Sequence, residues 1–313
     1  PTPLFEPEVY RDLEGAVESS IVELPDLLRW CRTRYQTGII PTSRFDVDFY
    51  LATYEEIRAA HINPFEHFLR HGLREGRRPN AVFDPDYYVR VAPTEHRDDD
   101  CPLYIHYLTV GVHRGAAPSA ITAPFLVRTV ADRGQGIQGY EAVARAISPW
   151  SSALGVAGTD LLVSLCHPYL YDGEGALPEA ATGADRLVHF LSHGVDAGFA
   201  PGPIFDMTHY RRKTGLGKGA GSGGGRNCVL HYIATPVEER FTPNDFFDED
   251  LYRNSWEDLR NSSIWPLGHF LNAGVFEGRT IDGKPREKVH TSPLDSSEGQ
   301  VRNWQLFWNE AGY

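Results

Sequence analysis

The chain has 313 residues, 41% hydrophobic and 23% charged, a balance typical of a folded globular protein. Its net charge of -12 and pI near 5.5 argue against a nucleic-acid partner and against an anionic membrane surface, both of which need a basic footprint. No run approaches 18 apolar residues, so no membrane span is expected, and PTPLFEPEV at the start has neither the basic nor the apolar region of a signal peptide.

Taken in chain order, the sequence repeats one unit of about 40 residues. LFEPEVY (Leu4 to Tyr10) leads a first copy, with Leu28 at its key position. The fullest copy runs FDVDFYLATYEEIRAAHINPFEHFLRHGLREGRRP from Phe45 to Pro79, and FDPDYY (Phe83 to Tyr88) opens the next. APFLVRTV…GYEAVARAIS (Ala123 to Ser148) fits a degenerate fourth copy, with Ala144 or Arg145 where the others have histidine. FDMTHY (Phe205 to Tyr210) and FDEDLY (Phe247 to Tyr252) open the last two. The histidines His67, His106, His189, His231 and His269 are 39, 83, 42 and 38 residues apart, and 83 is two periods. Seven copies are therefore expected over 1–282, starting near 5, 45, 83, 123, 160, 205 and 247, followed by a C-terminal linker and helix over 283–313.

Each copy reads as two helices. Asp46, Asp84, Asp206 and Asp248 stand where an N-cap belongs, each after an aromatic that can staple to the tyrosine five residues on. The second helix, starting at Asn63-Pro64, Pro102, Asp185, Asn227 or Pro266, carries an i, i+3, i+4, i+7, i+8 apolar stripe. Gly72, Gly111, Gly194 and Gly274 fall on that stripe and predict close helix approach, while Gly76, Gly115, Gly198 and Gly278 are placed as C-caps. Period-2 runs are absent. The expected fold is all-α, an α-solenoid of about seven helical hairpins. Two stretches read as insertions: Cys166 to Gly183, and the glycine-rich Lys213 to Arg226.

The pattern FDxxYY…NPxxHFLxxGxxEGRxP resembles a helical tandem repeat found beside glycosyltransferase domains in bacterial proteins of polysaccharide synthesis and in some bacterial surface-associated proteins. The resemblance implies helical repeats and an envelope-polysaccharide setting, and carries over no catalytic residues.

No catalytic, cofactor or metal site is expected. Helices pack about 8–10 Å apart whereas zinc ligands sit near 2 Å, so equivalent histidines of successive copies cannot share an ion; each is expected to bond a neighbouring copy. His71, His113 and His193 are less regular and read as solvated. The paired acids fit helix capping rather than a calcium loop, Asp98–Asp100 lies in a loop without a nucleotide-binding domain around it, and GLGKGAGSGGG (Gly215 to Gly225) lacks G-K-[ST]. Cys31, Cys101, Cys166 and Cys228 are more than 60 residues apart, which reads as free thiols in a reducing, cytoplasmic setting, surface association being the alternative. In the tail, Val301, Trp304, Phe307, Trp308 and Ala311 form one apolar face, read as a cap over the last copy or as a partner contact.

The function expected is a non-enzymatic scaffold that binds a protein or glycan. The alternatives are a component of polysaccharide-synthesis machinery, accessory or catalytic, and a self-assembling subunit. The oligomeric state is not legible.

Overall fold

The computed structural model describes residues 3–4, 42–93, 101–126, 136–168, 170–202, 204–216, 227–236, 239–260, 262, 264–270, 274 and 277–280. The first copy with Leu28 and Cys31, Asp98–Asp100, most of the glycine-rich stretch, and the tail with Trp304, Phe307 and Trp308 lie outside the described residues. Within them the chain is all-α, without a strand. No described helix is long and apolar enough to cross a membrane.

The first helices begin at their predicted caps. Asp46 accepts from the Phe49 amide, Asp84 from Asp86 and Tyr87, Asp206 from Thr208 and His209, and Asp248 from Leu251. These bonds occupy amides that a helix start leaves without partners. The helices run over Val47–Thr53, Pro85–Val91, Met207–Thr214 and Glu249–Ser255. The preceding aromatic packs on the tyrosine as a staple: ring centroids are 5.0 Å apart for Phe45 and Tyr50 and 5.4 Å for Phe83 and Tyr88.

The second helices occupy Pro64–His67, Leu103–His106, Gly183–His189, Cys228–Ala234 and Pro266–His269. The third of these starts two residues before Asp185, because Thr182 caps it and Asp185 answers as the other half of a capping box. Three of them widen into a π-helical turn, Phe68–Gly72, Tyr107–Gly111 and Phe190–Gly194. Left-handed glycines then end them, with φ of 67° at Gly76, 75° at Gly115 and 74° at Gly198. The amide beyond each glycine returns to the stripe glycine, as from Arg77 to Gly72 (2.9 Å) and Ala116 to Gly111 (2.9 Å), which is a Schellman closure.

One further bond ties the end of four stretches to their start. The Asp46 amide donates to Pro79 O (3.0 Å), Asp84 to Pro118 O (3.0 Å) and Asp206 to Pro243 O (2.9 Å). The same bond joins His167 to Pro201 O (2.8 Å). CHPYLY (Cys166 to Tyr171), within the stretch expected to be an insertion, thus shares the backbone closure of FDPDYY. His167 replaces the capping aspartate: its Nδ1 accepts from the Leu170 amide at 2.9 Å.

The chain divides into two compact units, 1–119 with 133–159, and 120–132 with 160–313. The division cuts the expected fourth copy apart. Ala123–Leu126 belongs to the second unit, where a methyl on Gly183 would lie 3.1 Å from Phe125 Cα. The helix Gly136–Leu165, broken at Gly155 (φ 68°), places Tyr140, Val143 and Ile147 in the core of the first. There Ala144 is buried and Arg145 reaches Ser43, so neither acts as the other copies' histidine does.

Buried asparagines hold the connections within each unit. In the first, Asn80 Nδ2 donates to Arg44 O (2.8 Å) and to the Tyr140 hydroxyl (2.9 Å), and its Oδ1 accepts from Val82 (3.0 Å) and Phe83 (3.1 Å). In the second, Asn244 makes the same pattern, with Ile204 O at 2.6 Å and the amides of Phe246 and Phe247 at 3.1 and 2.7 Å.

Candidate functional site

The most regular polar arrangement is one tyrosine, one histidine and one glycine, built the same way in successive stretches of chain. Tyr50 Oη lies 3.0 Å from His67 Nδ1, Tyr88 2.8 Å from His106, Tyr171 2.8 Å from His189, Tyr210 2.9 Å from His231 and Tyr252 3.1 Å from His269. The histidine thus bonds a tyrosine 17 to 21 residues before it, on a helix in four cases and outside any helix for Tyr171, and not a neighbouring copy. Each tyrosine lies four residues beyond Asp46, Asp84, His167, Asp206 or Asp248, which fixes its register. A methyl on Gly72 would meet the Tyr50 hydroxyl at 2.7 Å, and on Gly111, Gly194 or Gly274 it would overlap the hydroxyls of Tyr88, Tyr171 and Tyr252. The stripe glycines therefore make room for a phenol as well as for a helix. In the sixth unit Pro236 stands in the glycine's place.

Burial sets the protonation of these pairs. It pushes the Tyr50, Tyr171 and Tyr252 phenols up, and Tyr210 up to about 12. It pushes the His67, His189 and His269 imidazoles down. In the pairs Tyr50–His67, Tyr171–His189 and Tyr252–His269 a protonated phenol thus faces a neutral imidazole, and the ring tautomer sets which of the two donates. Acid–base catalysis requires pKa values brought toward the working pH, whereas burial here drives the two groups apart. The pairs are structural bonds.

Arginines stack on aromatic rings. Arg77, in Glu75-Gly76-Arg77, stacks over Tyr54 (4.6 Å to the centroid) and pairs with Glu56 (2.5 Å) and Glu75 (2.6 Å). Arg279, in Glu277-Gly278-Arg279, stacks over Trp256 (4.8 Å) and pairs with Asp258 (2.8 Å) and Glu277 (2.5 Å). Near the end of the second unit, Arg240 lies 3.6 Å above the Trp265 ring and 4.9 Å from that of Tyr232. Tyr232 donates to Glu249 Oε1 at 2.9 Å, with Trp265 Nε1 at 3.4 Å, and burial pushes the Glu249 carboxyl up. Phe241 and Ile264, next in sequence to Arg240 and Trp265, are 48% and 47% exposed, and Leu251 on the Glu249 helix is 46% exposed.

Among the described residues no three histidines, cysteines or carboxylates converge to hold a metal ion. Cys101, Cys166 and Cys228 are thiols. The tyrosines were the residues that sequence reading left without a polar role. The signal was present: the Tyr-to-His separation is 17 or 18 residues in four units and 21 in the sixth. Comparison with protein-family models, with curated proteins and with solved structures gives no match.

Proposed function

We propose that this chain is an α-solenoid of helical-hairpin repeats that serves as a non-enzymatic scaffold for a protein or glycan partner, in the setting of bacterial envelope polysaccharide that its repeat motif implies. One observation carries the reading. The polar residues that recur from unit to unit are consumed internally, Asp on helix starts, His on Tyr, and Arg on carboxylates and rings. What differs between units is the loop between the helices and the exposed apolar residues, and Phe241, Leu251 and Ile264 are three of the five most exposed large ones described. A framework constant inside and variable outside is the design of a recognition surface. Apolar rings beside a buried carboxylate suit either a sugar face or an apolar peptide anchor. The described thiols fit a reducing compartment.

The test is a pulldown with the partner identified, then titration of that purified partner against the wild type and a Phe241→Ser/Leu251→Ser/Ile264→Ser variant. The reading expects direct binding that the variant loses at least tenfold. Turnover of a sugar nucleotide by the purified chain, abolished by a His or Glu249 substitution, would overturn it.

A further inference from the structure

Two units carry a second histidine one turn after the first: His67 and His71 in HFLRH, and His189 and His193 in HFLSH. The ring centroids are 5.3 Å apart in the first pair and 5.4 Å in the second, where the planes are within 25°. We propose that each pair is a two-imidazole site for a borderline divalent metal ion of the Zn2+ or Cu2+ class, with its remaining coordination positions open to solvent or to a ligand brought by a partner.

Three independent features support it. The first is spacing. Residues four apart lie on one helix face, and the π-helical turn that begins between the two positions sets the rings nearly one above the other. Two nitrogens on one tetrahedral zinc ion are about 3.3 Å apart, given Zn–N bonds near 2.0–2.1 Å. His71 and His193, the outer members of the pairs, are exposed.

The second feature is preorganisation of the inner ring. Tyr50 and Tyr171 fix Nδ1 of His67 and His189, so each ring has only Nε2 to offer an ion. On metal binding the proton sits on Nδ1 and is donated to the phenol oxygen, the part usually played by a carboxylate or carbonyl behind a metal-bound histidine.

The third is the surroundings. At His189 the backbone of Gly173 lies against the ring, where a methyl on Gly173 would be 2.7 Å from Cε1. Asp172 Oδ1 accepts from the Glu174 amide in the same turn. At His67 the nearby charges are Glu56 and Glu75 against Arg77. Imidazole nitrogens favour Zn2+ and Cu2+ over Mg2+ or Ca2+, which take oxygen ligands. The other units provide the internal control: Val110, Thr235 and Ala273 stand where a second histidine would be, so three of the five Tyr–His units cannot chelate this way.

The experiment is Zn2+ titration of the full chain by calorimetry, with imidazole 15N NMR to report which ring nitrogen is engaged. His71→Ala and His193→Ala are the diagnostic variants, because both residues are exposed and neither holds a tyrosine; His113→Ala is the control. The expected result is saturable binding at two sites. His193→Ala should weaken one and His71→Ala the other by at least tenfold, His113→Ala should change neither, and the Nε2 signals of His189 and His193 should shift together in the wild type. Unchanged Zn2+ binding in the His71→Ala/His193→Ala double variant, with helical circular dichroism as in the wild type, would overturn the proposal.

Discussion

At the scale of one residue, the stripe glycine and its phenol decide local stability. Gly111 leaves room for the hydroxyl of Tyr88, a fully buried ring bonded to His106. Gly111→Ala should lower stability by about 2–4 kcal/mol through overpacking and loss of that bond, read as a drop in the urea midpoint. Tyr88→Phe, which keeps the ring and removes only the hydroxyl, should cost about 1–2 kcal/mol, and an equal loss from both would mean the glycine is not needed for clearance. His167 gives a pH signature. Burial pushes its imidazole down to about 3, from an unfolded value near 6.5. A lowered pKa means the unfolded chain binds the extra proton, so its contribution is complete above about pH 6.5 and is lost as pH falls toward 3. His67, His189 and His269 shift the same way and add to the trend. Urea midpoints measured from pH 7 to 4 should fall, and fall less in His167→Asp, which restores the capping carboxylate of the other units. An equal decline in both would show that His167 is not the acid-sensitive cap.

At the scale of an element, the caps and the terminating glycines were legible because each is a local rule tied to one residue. Asp46 and Asp84 cap, and Gly115 and Gly198 turn left-handed, without reference to distant chain. Gly198→Ala should cost about 1 kcal/mol, since φ of 74° strains any residue with a Cβ and nothing else crowds the site. The likeness of CHPYLY to FDPDYY was hidden for the converse reason. The capping position holds an imidazole and the staple position a cysteine, two residue types outside the usual capping and stapling sets, and only the bond from His167 to Pro201 shows the shared closure. The π-helical turns were invisible too, because an apolar stripe at i, i+3, i+4, i+7 does not distinguish a uniform helix from one that widens midway.

At the scale of the whole molecule, the helical class was legible and the allocation of the middle segment was not. Ala123–Ser148 has the composition of a hairpin, yet its two halves serve different cores. That assignment depends on long-range partners such as Asn80 for Tyr140 and Arg44 for Glu141, which lie 60 and 97 residues away in sequence. The first unit should therefore need the later helix. A chain ending at Ser119 loses Tyr140, Val143 and Ile147 from its core and should show a lower melting temperature and weaker near-ultraviolet dichroism than one ending at Thr159; identical values would mean the helix is an ornament to that core.

The bond from Asp46 to Pro79, and its counterparts at Asp84, His167 and Asp206, brings the two ends of each unit together. A segment whose ends already meet is a cassette. Its gene fragment can be duplicated, deleted or exchanged with a neighbour while the flanking cassettes keep their own closures, and the cap can drift from aspartate to histidine in one copy without consequence for the rest.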